Sequence, residues 1–65
     1  MNIRYFAGTD TLWIELRDVP IAETRDLDDA TLVDLDQTGS ICSITIEHAS
    51  ARTDISRVSY ETVSA

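Results

Sequence analysis

The chain has 65 residues and is acidic, because twelve aspartates and glutamates against five arginines and no lysine give a net charge of −7 at pH 7. A chain this short makes one domain, expected over residues 1–65, and buries only about 60% of the surface it exposes when unfolded. The charge disfavours binding to nucleic-acid phosphates or to an anionic membrane surface, which normally needs clustered Lys and Arg.

Small domains commonly depend on a disulfide, a metal or oligomerisation for stability. Cys42 is the only cysteine, so no internal disulfide can form, and His48 is the only histidine, so soft metal ligands are scarce. We therefore expect a homodimer without a cofactor. No apolar run reaches the ~20 residues of a membrane span, and residues 1–5 lack the apolar region of a signal peptide, so a cytoplasmic location is expected.

Four runs of residues alternate between apolar and polar side chains, which predicts half-buried strands. The runs lie at 2–6, 12–17, 32–36 and 41–47. Gly8 suits a tight turn with positive φ after the first run, Pro20 ends the second, and Gly39 suits a hairpin loop between the last two. Residues 22–27 predict an edge strand or an extended connection. The expected fold is mainly β (a β-rich α+β fold), an antiparallel meander of four to five strands.

The C-terminal part allows alternatives. One short helical turn is expected near residues 48–57, where Thr53 or Asp54 can cap it. Residues 58–63 alternate again and favour a strand, since Ser, Thr, Val and Tyr are indifferent helix formers. A helix through Ile55, Val58 and Thr62 is the alternative for residues 54–65.

Both faces of the predicted sheet carry apolar side chains. The core face is expected to hold Ile3, Tyr5, Leu12, Ile14, Leu16, Val33, Leu35, Cys42, Ile44 and Ile46. The opposite face is expected to hold four others, from four strands, as a candidate interface: Phe6, Trp13, Leu32 and Ile41. A sheet needs cover on its apolar faces, which predicts that a second copy packs there with Trp13 as an anchor. Alternatively, Trp13 lies under the C-terminal segment of its own chain.

One loop matches the first eight positions of a calcium-binding EF-hand loop. The match places oxygen ligands and the required glycine at Asp34, Asp36, Thr38 and Gly39. The twelfth position should be a bidentate Glu and is Thr45, and the flanks alternate like strands rather than helices. The pattern therefore favours a hairpin loop and no metal site.

No catalytic constellation is apparent. The carboxylates of Asp26, Asp28 and Asp29 lie in a loop-like stretch, where a solvated acidic edge is expected rather than acid–base chemistry. His48 has no nucleophile beside it, since alternation turns Cys42 toward the core. We expect no enzyme activity.

Short motifs in a fixed order resemble those of the small bacterial family called domain of unknown function 2283. They are Ile3, Tyr5, Asp10, Leu12 to Leu16, Glu23-Thr24, Val33 to Asp36, Gly39, Ile44 to Ile46 and Ala49-Ser50. The chain departs from the family pattern at Phe6, Trp13, Ser43 and His48, and its tail after Ser50 matches nothing in that pattern. The resemblance implies a β-rich fold and no catalytic residues to carry over. Some members are encoded beside small toxin-like proteins, which implies an antitoxin role.

Two functions remain open on the sequence. The favoured one is an acidic, non-enzymatic interaction module, homodimeric and antitoxin-like toward a small basic protein. The alternative is a small-molecule-binding module with a groove at the dimer interface, for which Tyr5, Arg17, Glu23 and His48 are the available polar residues.

Overall fold

The structure, a computed structural model that describes residues 1–64, contains five strands and one short helix. In chain order they are β1 (Asn2–Phe6), β2 (Thr11–Glu15), β3 (Glu23–Asp28), β4 (Thr31–Leu35), β5 (Ile41–Ile46) and α1 (Ala49–Arg52). The predicted mainly β fold with one short helix is confirmed. Residues 22–27 correspond to β3, which lies at an edge of the sheet as predicted.

All five strands form one open antiparallel sheet in the order β1-β2-β5-β4-β3. This order departs from a simple meander in one connection. Residues 16–22 carry the chain from β2 to the far edge, so that β5 rather than β3 pairs with β2. This strand order follows from side-chain polarity. β3 is exposed along its length and suits an edge, whereas β5 carries the apolar side chains that a central strand buries.

The register assigns the two faces of the sheet. One row across the sheet joins Ile3, Ile14, Ile44 and Val33, and the next joins Tyr5, Leu12, Ile46 and Thr31. Directly paired residues share a face, so these rows form the apolar face that alternation predicts. The other face carries a row of Arg4, Trp13, Thr45, Leu32 and Asp26. We call it the outer face.

A register shift separates Ile41 from the other three residues of the expected interface group. Leu35 pairs with Ile41, whereas the preceding Asp34 pairs with Ser43, so β5 contributes an extra residue at a bulge. Ile41 therefore lies opposite a buried apolar residue at the far end of β5 from Thr45. Simple alternation cannot anticipate this, because a bulge interrupts the period of two.

The positive backbone angle in the first turn is not at the glycine. Gly8 does not adopt a positive φ, whereas Asp10 has φ 53° and Gly39 has φ 82°. The expectation for Gly39 is confirmed and that for Gly8 is wrong. Aspartate tolerates the left-handed region better than most residues, and the hydrogen bonds of Asp10 described below hold it there.

Only part of the apolar face is buried. The buried apolar residues lie in β4, β5 and α1 and are Val33, Leu35, Cys42 and Ala49. Toward β1 the cover is thin, since Ile3 remains 45% exposed and Tyr5 39%. The chain exposes 5048 Å², whereas a compact monomer of 7.2 kDa exposes about 4,100 Å². The radius of gyration, 13.0 Å, likewise exceeds the ~11 Å of a compact 65-residue domain.

Residues 53–64, which we call the tail, form neither the favoured strand nor the alternative helix. Both predictions are wrong over the described residues, and residue 65 lies outside them. The tail begins with a turn at Asp54, whose side-chain Oδ1 accepts from the Ser56 N–H and hydroxyl. Beyond it no strand edge of the chain pairs with the tail, so its alternating residues have no ladder to join. No helix within residues 1–64 is long and apolar enough to cross a membrane.

Candidate functional site

A cluster around Asp10 joins the β1–β2 hairpin to the start of α1. The Tyr5 hydroxyl donates to Asp10 Oδ1 at 2.7 Å, and the Ser50 hydroxyl donates to Oδ2 at 2.7 Å. The Ser50 N–H donates to Oδ1 at 3.0 Å, and the Ala49 N–H donates to the Asp10 carbonyl at 2.9 Å. We call Tyr5, Asp10 and Ser50 the Asp10 clamp. Because it links residues forty positions apart, it fixes α1 against the sheet.

The electrostatics of the Asp10 clamp favour a permanent anion rather than a group that exchanges protons. The hydrogen bond from Tyr5, and then that from Ser50, lower the pKa of Asp10 below its usual value. The same bond raises the pKa of Tyr5. The carboxylate stays charged and the phenol stays protonated near neutral pH, which suits a structural contact.

Two further acids of the family-like motifs are also held by hydrogen bonds. Asp34 accepts from the hydroxyls of Thr24 (2.6 Å) and Ser43 (2.5 Å), which ties β3, β4 and β5 together on the outer face. Its neighbour two residues on, Asp36, accepts from the backbone N–H groups of Thr38 and Ser40 in the hairpin loop. These bonds satisfy polar groups that the sheet would otherwise leave without partners.

Asp36 is also paired with Arg17, whose Nη2 lies 2.5 Å from Oδ2. The Thr38 hydroxyl and then Arg17 hold the pKa of Asp36 well below its ordinary value. Both carboxylate oxygens are thus occupied by groups of the chain itself, in the loop that resembles the start of an EF-hand. Within residues 1–64, no three His, Cys, Asp or Glu side chains are grouped closely enough to hold a metal ion.

The candidate catalytic residues do not come together. Cys42 is 1% exposed, and its sulfur contacts the Ser40 carbonyl oxygen at 3.8 Å. His48 is exposed and adopts φ 53° as it leads into α1. In the acidic stretch, Asp26, Asp28 and Asp29 are all exposed, and Asp28 accepts from the Ala30 N–H and pairs with Arg52.

The outer face carries a shallow groove of about 300 Å³ at its β1–β2 side. Five residues line it, namely Arg4, Phe6, Thr11, Trp13 and Thr45, and we call it the Trp13 groove. The Arg4 guanidinium carbon lies 5.6 Å from the centre of the Trp13 ring, a cation–π contact. Leu32 is paired with Thr45 and so lies on the same face, two strands from Trp13. Phe6 and Trp13 line the groove, whereas Leu32 and Ile41 do not, and the interface of the four stays a prediction.

The tail does not cover Trp13. Instead it runs over the apolar face, where it encloses a groove of about 360 Å³ above β1 and β2. This tail groove is floored by Ile3, Tyr5, Leu12 and Ile14 and bordered by residues 53–55 and 57–59. No sequence pattern predicted this groove, because a coil segment has no periodicity that reveals what it covers.

The four polar residues expected for a ligand site do not meet in one pocket. Tyr5 is engaged by Asp10, Arg17 by Asp36 and Glu23 by Arg25, each in a different part of the sheet. Of the four, only Tyr5 lines the tail groove.

These features define a class of small β protein, with one open antiparallel sheet whose motif residues make the contacts that hold its strands and helix together. The chain belongs to the family described as Protein of unknown function (DUF2283), whose model matches residues 2–50. The resemblance noted in the sequence is thereby confirmed. Neither the curated proteins nor the solved structures give a match to the chain. The match ends at Ser50, the last member of the Asp10 clamp, so the second half of α1 and the whole tail lie beyond it.

Proposed function

We propose that this protein is a non-enzymatic interaction module that works as a cytoplasmic homodimer. The main support for the proposal is that the acidic residues of its motifs make structural hydrogen bonds within the chain. Asp10, Asp34 and Asp36 each accept several hydrogen bonds from the chain itself, and so stabilise the fold. Apolar side chains, by contrast, remain exposed on both faces of the sheet. Exposed apolar patches of this kind are typical of protein interfaces.

The surface area supports a second copy as the partner. The chain exposes 5048 Å², which is about 900 Å² more than a compact chain of its mass exposes. A standard protein interface buries about 800 Å² on each partner. One interface of ordinary size would therefore bring the chain to the exposure of a compact protein.

Sedimentation velocity tests the homodimer directly. We expect a species of twice the 7.2 kDa chain mass at micromolar concentration. A single 7.2 kDa species over the whole concentration range would rule the homodimer out. The variant Leu27→Ser, which removes an exposed apolar side chain from β3 without touching either groove, should sediment as the parent does.

Charge supports a basic protein as a further, antitoxin-like partner of the homodimer. Arg17, Arg25 and Arg52 are each paired with an acid of the chain, whereas Asp26 and Asp29 project from the exposed β3 edge and its turn. A surface with this excess of acids attracts a basic partner and repels nucleic acid.

Co-expression tests this partnership. A small basic protein encoded beside this chain should co-purify with it and dissociate as salt is raised, since salt screens surface charges. The double variant Asp26→Asn, Asp29→Asn should reduce the recovery, and the variant Gln37→Asn, which leaves the charge of the chain unchanged, should not. If the two proteins do not co-purify, the antitoxin-like role is contradicted, but the homodimer is not.

The tail groove supports a second candidate function, the binding of a small apolar molecule. Its floor is apolar, and Asp54 and Arg57 at its border supply polar groups. Titration with an apolar fluorescent probe, followed by NMR, would show shifts at Ile3 and Ile14 if the groove binds such molecules. Shifts confined to the Trp13 groove would contradict this candidate.

A further inference from the structure

We infer that residues 58–63 of one copy form a sixth strand on the β1 edge of a second copy, so that two tails are exchanged in the dimer. The inference rests on the proposed homodimer and specifies how it assembles. Two features of the chain, each lacking a partner of its own, carry it. One is the open edge of β1, and the other is the alternating sequence of the tail.

The β1 edge is open to strand addition. β1 is the outermost strand on its side, and all five of its residues are exposed. It is regular over its whole length, with no register shift in its pairing to β2, and it contains neither proline nor lysine. An edge strand with these properties presents a row of backbone groups ready to pair.

The opposite edge shows how this chain protects a strand. β3 carries Glu23, Asp26 and Asp28, and its pairing with β4 shifts register between the last two. Charges and bulges are the usual devices that discourage pairing at an edge. Their concentration on β3 leaves β1 as the edge available to another strand.

The tail carries a strand-like sequence that its own chain does not use. Val58 is 68% exposed and Tyr60 is 82% exposed, and they alternate with Ser59 and Glu61. Among the described residues, no backbone hydrogen bond involves residues 58–64. Val, Thr and Tyr have high β propensity, so this segment needs only an edge to become a strand.

The pattern of β1 is complementary to that of the tail. β1 places Ile3 and Tyr5 on the apolar face and Arg4 on the outer face. An antiparallel register with Glu61 opposite Arg4 puts Tyr60 beside Tyr5 on the apolar face. The contact of Arg4 with the Trp13 ring already holds the guanidinium on the outer face, where the Glu61 carboxylate would meet it.

A second copy is the occupant that the geometry favours. The chain's own residues 53–59 pass over the apolar face and border the tail groove, and they do not pair with their own β1. An exchange between two copies adds a strand to both sheets about a twofold axis, and it needs no change in the sheet itself.

Charge reversal in the full-length chain tests the exchange. Arg4→Glu and Glu61→Arg should each raise the dimer dissociation constant about tenfold, because each replaces two cross-strand attractions with repulsions. The double variant, which restores the pair in the opposite sense, should return to within about threefold of the parent. The controls Arg25→Glu and Asp29→Arg make the same charge changes at the opposite edge of the sheet, on β3 and its turn, and should leave the constant unchanged.

The outcomes separate this inference from the homodimer. A parent chain that stays monomeric removes the homodimer, and the exchange with it. A dimer that Glu61→Arg does not weaken overturns the exchange alone. Weakening by Arg4→Glu that Glu61→Arg fails to rescue also overturns it and assigns the interface to the Trp13 groove.

Hydrogen exchange distinguishes an exchanged tail from one that folds onto its own sheet. We expect the outward-facing amides of β1 and those of residues 58–63 to become protected together as protein concentration rises. Protection of both segments at concentrations where the parent sediments as a monomer would overturn the exchange, because the tail would then pair within its own chain.

Discussion

Asp10 links the β1–β2 hairpin to the start of α1, forty positions away in the sequence. It combines a left-handed backbone with four hydrogen bonds to β1 and α1. Alanine at this position loses the side-chain acceptors and is strained at positive φ, whereas asparagine tolerates that φ and keeps one acceptor. We expect Asp10→Ala to lower the urea midpoint more than Asp10→Asn does. Equal midpoints for the parent and Asp10→Ala would contradict the clamp.

The acids with lowered pKa values make stability depend on acidity. Hydrogen bonds lower the pKa values of Asp10 and Asp36 in the folded chain below the ordinary value of 3.8. Their stabilising contribution is therefore complete above pH ~4 and is lost as the pH falls below that value through the folded pKa values.

Asp10→Asn isolates the share of the clamp in this pH dependence. We expect the free energy of unfolding of the parent to fall more steeply below pH ~4 than that of Asp10→Asn, because the variant has no proton to gain at this site. Urea unfolding at a series of pH values gives both slopes. Parallel slopes would show that the folded chain does not prefer the ionised form of Asp10.

At the scale of elements, the β4–β5 hairpin depends on one glycine. Gly39 has φ 82° and Gly8 does not have a positive φ, while a Cβ at either would meet no atom within 4 Å. Backbone strain alone therefore separates the two positions. We expect Gly39→Ala to lower the free energy of unfolding by about 1–2 kcal/mol. We expect Gly8→Ala to leave it unchanged or raise it by up to about 1 kcal/mol.

Thermal or urea unfolding of these two variants checks that difference. A loss in Gly8→Ala as large as that in Gly39→Ala would place the strained turn in the first hairpin, contrary to the structure.

Local sequence patterns predicted the strands, because each pattern reflects a property of a few neighbouring residues. Alternation reflects the two faces of a strand, and Gly39 marks a turn that only a few residue types can adopt. The strand order was not predictable in this way. Whether β3 or β5 pairs with β2 depends on the burial of whole strands against one another, and short-range periodicity contains no such information. The bulge at Ile41 and the coil conformation of the tail likewise depend on contacts with other parts of the chain, so short-range periodicity does not reveal them.

The candidate site was predictable to a similar degree. Alternation correctly brought Phe6 and Trp13 to one face, but it did not identify Arg4 as the cation over the Trp13 ring. The family-like motifs pointed to Tyr5, Asp10 and Ser50 without indicating that the three meet. Their contact spans forty residues of sequence, so it follows from the tertiary fold rather than from any local spacing.

At the scale of the whole molecule, the sheet is thin and incompletely covered. Its extents are 35 × 34 × 18 Å, and only four apolar residues among positions 1–64 are buried, all on the β4–β5–α1 side. A second copy that covers part of the remaining surface would supply stability that the isolated chain lacks. Folding and association should then be coupled, as they are in small obligate dimers.

The dependence of the thermal unfolding midpoint on protein concentration tests this claim most directly. For a dimer that unfolds to two separate chains, a hundredfold rise in concentration should raise the midpoint by about 10 °C, given the unfolding enthalpy of two chains of this size. A midpoint that is the same at every concentration would contradict the account, because it would show that each chain folds and holds its structure alone.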